Sequence, residues 1–130
     1  MTAVRRQYYE SGNLMSEIFV MNGKKHGECK YYYDYEKKLR IMSIKPYIDN
    51  KLNGEIKNYY DLGQLNWICI YIDDKANGEY KQYYKNGKIN IICNFIDNKL
   101  NGEYKRYNEN GDLIEQSIYD NGEKIEDPIN

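Results

Sequence analysis

GEYKQYYKNGKINIICNFIDNKLN, from Gly78 to Asn101, is the stretch that decides the fold, because Gly102 to Ile125 begin the same pattern again. Self-similarity at a fixed period indicates a tandem array, in which one small unit cannot bury its apolar face alone and stacks on its neighbours. The same period divides the chain into five units within one domain, residues 1–130. The units are residues 3–26, 27–53, 54–77, 78–101 and 102–125, followed by a tail, residues 126–130.

Each unit has the local signals of a β-hairpin. Glu79 to Tyr84 is a short aromatic run, Asn86-Gly87 is a turn signal, and Ile89 to Ile96 is rich in β-branched residues. A second turn segment, Asp97 to Gly102, joins this unit to the next and ends in a glycine able to take positive φ. Since no stretch has a helical period, we predict an all-β meander of about ten strands.

The second unit departs from the pattern. Residues 27–53 include three extra residues, and Tyr35, Glu36 and Lys37 stand where the other units have a central turn glycine. We expect an irregular connection here, around Met42 to Tyr47, that a partner could use.

The first strand of each unit sorts its residues into columns. Side chains alternate between the two faces of a strand, so the glutamates, lysines and tyrosines that recur one, three and five residues after the opening glycine share a face. The opposite face, with Cys29 and Ile56, is less charged, and we predict that it points inward. In the second strand, alternate positions read Leu65, Trp67, Cys69 and Tyr71, and intervening positions such as Ile68 and Ile70 are also apolar. A strand that is apolar on both sides is either covered twice or faces a partner.

The tyrosine column is the candidate binding surface. Rigid amphipathic aromatic side chains dominate protein-binding hot spots, although tyrosines also stabilise a sheet simply as good strand formers. The candidate residues are Tyr8, Tyr32, Tyr59, Tyr83 and Tyr107, with Trp67 as a single anchor.

Catalytic and metal-binding patterns are missing from the sequence. The single histidine, His26, lies in a turn, and no CxxC, HExxH, P-loop or GxSxG pattern occurs. We predict neither enzyme activity nor a cofactor. Cys69 and Cys93 hold the same place in adjacent hairpins, roughly 9 to 10 Å apart and beyond disulfide reach.

Charge and hydropathy argue against nucleic-acid and membrane partners. Nineteen basic and twenty acidic residues leave a net charge of −1, and each recurring glutamate is followed two residues later by a lysine in weak, solvated pairs. The sequence has no signal-like apolar segment and no apolar run long enough to span a bilayer, so we expect a cytoplasmic protein.

The unit resembles the MORN repeat variant found in bacterial YwqK-type antitoxin proteins and in related proteins of bacteria and large DNA viruses. The resemblance rests on G-E-Y-K-x-Y-Y-x-N-G-K-x at the head of the unit and D-x-K-x-x-G at its tail. It implies hairpins stacked in a single elongated, twisted antiparallel sheet and, for the antitoxin branch, direct binding of a cognate toxin. The original MORN motif has been linked to membranes, but this chain has Trp67 alone and no net positive face in sequence.

Three functions remain open at this stage. The first is a non-catalytic module that binds another protein, an antitoxin or immunity protein being its most concrete form. The second is a scaffold that self-associates through its end strands, Val4 to Tyr9 and Glu115 to Tyr119. The third is an effector that captures a small ligand on aromatic side chains, which a deep pocket would favour and an open sheet would oppose.

Overall fold

A computed structural model describes residues 1–35 and 38–126, and these residues form one antiparallel sheet without a helix. The predicted all-β fold of tandem hairpins is confirmed. The strands are β1 (Thr2–Tyr8), β2 (Leu14–Met21), β3 (Lys24–Lys25), β4 (Gly27–Tyr33), β5 (Arg40–Ile48), β6 (Lys51–Leu52), β7 (Gly54–Tyr59), β8 (Leu65–Ile72), β9 (Lys75–Tyr83), β10 (Ile89–Ile96), β11 (Lys99–Leu100), β12 (Gly102–Tyr107), β13 (Leu113–Asp120) and β14 (Glu123–Glu126).

The strands follow one another across the sheet in chain order. The path runs β1-β2-β4-β5-β7-β8-β9-β10-β12-β13-β14, and the two-residue strands β3, β6 and β11 pair with the strand before them. Each short strand is the entry into the longer strand that follows it, and in β9 the two are continuous. Every hairpin is therefore bonded to its neighbours in sequence, so contacts stay local along the array.

Two kinds of turn alternate along the sheet. In the joint between units, Asp97 and Asn98 take φ of 48° and 71°, the double positive φ of a type I′ turn. At the tip of the hairpin, the Gly87 amide donates to the Tyr84 carbonyl at 2.9 Å, and Gly87 has a φ of 88°. The Asn-Gly signal in the sequence therefore marks a longer tip, and the tightest turns lie in the joints.

A β-bulge in the second strand changes which residues share a face. Asn58 pairs with Trp67 but Tyr59 pairs with Leu65, so one extra residue, Asn66, lies between them. Directly paired residues point to the same side of a sheet, which places Leu65 with Tyr59 and Trp67 with Asn58. The expectation that Leu65 and Trp67 form one column is wrong, because the bulge shifts the alternation by one residue.

The irregular connection of the second unit lies at the hairpin tip. Tyr32 pairs with Ile41, and β5 continues without interruption from Arg40 to Ile48. A β-bulge does lie at Met42, because Tyr31 pairs with Ser43 and Tyr32 with Ile41, but the other units have the same bulge at the equivalent place. What sets this unit apart is its longer tip, part of which lies outside the described residues.

The two faces of the sheet differ in burial. The cysteine face, which bears Cys29, Cys69 and Cys93, has the deepest residues; Cys29 is fully buried and Ile56 is 2% exposed, as predicted for the inward face. The ladder face bears the recurring glutamates, lysines and tyrosines. Tyr32, expected on the outer side, departs from the prediction because it is only 5% exposed.

The two edges of the sheet also differ. β1 forms one edge, and all seven of its residues are exposed. The opposite edge is β14, which pairs with Ile118 to Asp120 of β13. The predicted end strand, Glu115 to Tyr119, is therefore covered by β14 at its carboxyl end. Glu126, predicted as the first residue of the tail, is the last residue of β14. The other tail residues, 127–130, lie outside the described residues.

Candidate binding surface

The five predicted tyrosines form a row on the ladder face, next to the hairpin tips. Their burial varies, from 58% exposed for Tyr8 to 5% for Tyr32, and the other three are half-buried. Each is paired across the bulge with an aliphatic residue, so the row is a mixed tyrosine and aliphatic stripe. The pairs are Tyr8–Leu14, Tyr32–Ile41, Tyr59–Leu65, Tyr83–Ile89 and Tyr107–Leu113.

The hydroxyl groups of these ladder tyrosines make no hydrogen bond within the described residues. None of them appears among the buried polar atoms that lack a partner, so the hydroxyls reach solvent. Tyr59, Tyr83 and Tyr107 therefore present a half-buried ring and a hydroxyl that reaches solvent, the combination that suits a wet recognition surface.

The next residue in four units is a second tyrosine with a different role. These clasp tyrosines reach forward one unit and donate their hydroxyl to the main-chain carbonyl of the next ladder tyrosine. The bonds are Tyr9 to Tyr32 (2.6 Å), Tyr33 to Tyr59 (2.6 Å), Tyr60 to Tyr83 (2.7 Å) and Tyr84 to Tyr107 (2.7 Å). The residue pattern alone does not predict this role, although the sequence contains one signal of it: the column stops in the last unit, where Asn108 follows Tyr107.

Trp67 lies on the cysteine face, away from the ladder tyrosines. Its ring stacks on Tyr80, with centroids 6.0 Å apart and planes at 27°, and Tyr80 meets Phe95 edge to face at 5.9 Å. Burial raises the pKa of Tyr80 to about 12, with a smaller effect from the neighbouring thiols. The predicted binding residues thus belong to two separate surfaces, because the bulge sends Tyr59 and Trp67 to opposite faces.

The ladder face also leaves aliphatic residues uncovered beside the joints. The last residue of three second strands is about half exposed, at 51% for Ile48, 54% for Ile72 and 49% for Ile96, and Ile70 is 40% exposed. The sheet is a single layer, and no other part of the described chain covers these residues. The second apolar face of these strands therefore has no packing partner among the described residues.

Shallow concavities lie along the ladder stripe between successive units. One of about 500 Å³ is lined by Ile41, Tyr59 and Gly63, and one of about 320 Å³ is lined by the equivalent Ile89, Tyr107 and Gly111. A ladder tyrosine and the aliphatic residue of the preceding unit therefore form a repeated depression. A further cavity of about 760 Å³ lies beside β1, away from the tyrosines.

Three of the four recurring Glu/Lys sets of the ladder face form the predicted weak pairs, and no ion pair is found between Glu28 and Lys30. Glutamate and lysine approach within 3.6 Å in Glu55–Lys57, 3.3 Å in Glu79–Lys81 and 3.4 Å in Glu103–Lys105. Their side chains are partly or mostly exposed, so each pair contributes about 0 to 1 kcal/mol.

The joints carry a second set of ties between units. Asn77 accepts a hydrogen bond from the Asp97 amide at 3.0 Å and donates to the Asp97 carboxylate at 3.1 Å. Asn53 makes the same two contacts with Asp73. His26 holds the equivalent place in the first joint, where it was predicted as a turn residue, and its buried Nδ1 has no hydrogen-bond partner among the described residues.

The three cysteines are free and buried. Tyr80 lies between Cys69 and Cys93 in register, as the predicted two-strand spacing requires. Burial raises the pKa of the Cys93 thiol to about 11, so at neutral pH it is a protonated packing residue. No group of side chains in the described residues is placed to hold a metal ion. No helix there is long and apolar enough to cross a membrane.

Comparison with known families rests on the repeat itself. The model of the MORN repeat variant matches residues 1–22, 76–97 and 100–121. The chain belongs to the MORN repeat variant family. MORN repeats are generally non-enzymatic modules for protein or membrane interactions, and the matches include the first ladder tyrosine and the last two. A search of curated proteins found no match.

Proposed function

We propose that this MORN-repeat chain is a non-catalytic module that binds another protein along its ladder face. The observation that supports the proposal is that the hydroxyls of neighbouring tyrosines have different hydrogen-bonding roles. The clasp tyrosines use their hydroxyls inside the array, whereas the hydroxyls of Tyr59, Tyr83 and Tyr107 make no hydrogen bond within the described residues, and each of these tyrosines lies beside a partly or largely exposed aliphatic residue. Accessible tyrosines in shallow apolar depressions are the usual composition of a protein-binding hot spot.

The most concrete form of this proposal is an antitoxin or immunity protein. It is supported by the resemblance of the repeat unit to YwqK-type antitoxins and by a broad face that can cover a partner. In this form, the protein neutralises its partner by direct contact and acts in the cytoplasm, where the buried cysteines stay reduced.

Affinity capture with matched variants tests the proposal. The wild-type protein is compared with Tyr59→Ser/Tyr83→Ser on the ladder face and with Tyr71→Ser/Tyr119→Ser on the cysteine face. We expect a stoichiometric protein partner whose affinity falls at least about tenfold with the ladder variant, the usual loss at a hot spot, and changes little with the control. Equal retention by both variants would refute the ladder face as the binding surface.

Co-expression tests the antitoxin form separately. The captured partner should arrest growth when expressed alone, and the wild-type protein should restore growth where the ladder variant does not. A harmless partner refutes the antitoxin form but leaves the binding module intact.

A second candidate function, a self-associating scaffold, is favoured by the exposure of β1. A strand with one free edge is a template for pairing with another chain. Sedimentation over a range of protein concentrations, with Val4→Lys as the edge-blocking variant, separates this function from the first. A wild-type protein that stays monomeric at every concentration rules it out.

A further inference from the structure

A pocket of about 440 Å³ lies on the cysteine face, across β2, and two basic side chains line it. Arg5 pairs with Ile18 on one side of β2, and Lys25 pairs with Val20 on the other. Residues in register on neighbouring strands point to the same face, so both basic side chains stand beside an apolar floor formed by Ile18 and Val20.

The repeat pattern is broken at each basic position of this region. Arg5, Lys25 and Lys45 all replace uncharged residues that hold the same places in later units. Arg5 replaces Cys29, Ile56, Tyr80 and Tyr104; Lys25 replaces Leu52, Ala76 and Leu100; and Lys45 replaces Cys69, Cys93 and Ser117. Three basic departures on one face of the first two units make a local positive patch that the net charge of −1 conceals.

Neighbouring groups hold the main chain of Lys25 and the side chains of two of the three basic residues, Lys25 and Lys45, in place. Asn50 donates its amide to the Lys25 carbonyl at 3.0 Å and accepts the Lys25 amide on its side-chain oxygen at 2.8 Å. The Lys25 ammonium lies 4.9 Å from the centre of the Tyr47 ring, and the Lys45 ammonium lies 5.2 Å from that of Tyr31, which also lines the pocket. These cation–π contacts fix the charges without neutralising them.

No carboxylate balances this patch within the part of the chain that the structure describes. None of the residues that line the pocket is acidic, and the ion pairs of the described residues do not include Arg5, Lys25 or Lys45. Arg6, the neighbour of Arg5 on the ladder face, does have a carboxylate partner, with Glu17 at 3.0 Å. A bound anion would relieve the repulsion among the cations.

We propose that this pocket binds a small soluble ligand through a phosphate monoester group, which sits between Arg5 and Lys25 with its organic part against Ile18 and Val20. A phosphate monoester is a dianion, so its charge matches two cations, and the guanidinium group binds phosphate with two parallel hydrogen bonds. The pocket volume lies within the range of small-molecule sites, about 300 to 1,000 Å³. The site is on the opposite face from Tyr59 and Tyr83 and is independent of the proposed protein partner.

An NMR titration of the isotope-labelled protein with phenyl phosphate, at constant ionic strength, tests the inference. Phenol, which has the same ring without the charge, is the matched control ligand. We expect saturable shifts at the amides of Arg5, Lys25 and Asn50 with phenyl phosphate and no saturable shift with phenol.

Three variants with the same change of charge complete the test. Arg5→Gln and Lys25→Gln should each weaken phenyl phosphate binding by about tenfold or more, the loss expected for a charge-assisted hydrogen bond. Arg6→Gln, one residue away on the other face, should leave the affinity unchanged. Equal weakening by Arg6→Gln would overturn the inference, because net charge alone would then explain the binding, and so would the lack of saturable shifts in the wild-type protein.

Discussion

Two columns of tyrosines run side by side across the sheet, one residue apart, and they do different work. A clasp tyrosine such as Tyr60 donates a hydrogen bond from its hydroxyl to the carbonyl of Tyr83 in the next unit, at 2.7 Å. A ladder tyrosine such as Tyr59 has no such bond and faces an open depression. The comparison teaches that residue type and repeat period do not separate a structural column from a recognition column. What separates them is where the hydroxyl goes.

Removing the hydroxyls of one column at a time tests most directly whether the two columns have different roles. Tyr60→Phe/Tyr84→Phe should lower the free energy of unfolding by about 1 to 2 kcal/mol for each site, because two part-buried carbonyls lose their donors. Tyr59→Phe/Tyr83→Phe should change it by less than about 0.5 kcal/mol. Urea unfolding of both double variants measures the difference. Equal losses would show that the ladder hydroxyls are also structural.

Alkaline unfolding extends the comparison to the cysteine face. Burial raises the pKa of Cys93 from 9.0 to about 11, so the unfolded state loses its thiol proton first as the pH rises. The wild-type protein should therefore lose about 2 to 3 kcal/mol of stability from Cys93 alone between about pH 9 and 11, and Cys93→Ser should lack this loss.

Serine is a suitable replacement because Ser117 holds the equivalent place in the last unit and is 1% exposed. Urea unfolding at several pH values in that window compares the two proteins. Parallel pH profiles for wild type and variant would contradict the prediction.

The joints offer a second tie between units that can be cut by itself. Asn77→Ala removes the acceptor of the Asp97 amide and the donor to the Asp97 carboxylate, and it should cost about 1 kcal/mol. Asn90→Ala, at a half-buried position of β10 for which no side-chain hydrogen bond is found, is the control. If the two variants lose the same stability by thermal or urea unfolding, the joint tie contributes nothing.

The smallest effect should be a gain. His26→Asn places in the first joint the residue that ties the later joints, and it removes a buried ring nitrogen without a partner. We expect the unfolding free energy to rise by about 0.5 to 1 kcal/mol. A lower melting temperature in calorimetry would indicate that the imidazole has a role that asparagine cannot replace.

Much of the fold was predictable because its signals are local. Hairpins, joint turns and the positive φ of Gly54 and Gly78 follow from short sequence patterns that need no distant partner. Gly78 also shows what such patterns leave out. A side chain there would approach Ile70 to 3.2 Å, a contact that exists only once two strands are paired.

The candidate site was predictable in part. The ladder tyrosines follow from their period, but Trp67, predicted as a single anchor, lies on the other face because the bulge at Asn66 pairs it with Asn58. A bulge depends on how two strands pair, and nothing in the sequence of one strand marks it reliably.

The sequence by itself determined the repeat, the hairpin, the all-β class and the family, because each depends on residues close together in the chain. The tertiary structure decided which tyrosines are clasps, which face carries Trp67, and that Arg5, Lys25 and Lys45 form one positive patch on a chain of net charge −1. The physical reason is register. Which side chains meet across a sheet depends on how its paired strands align, and one bulge moves a residue to the other face. The ties between units then join residues 20 or more positions apart in the chain.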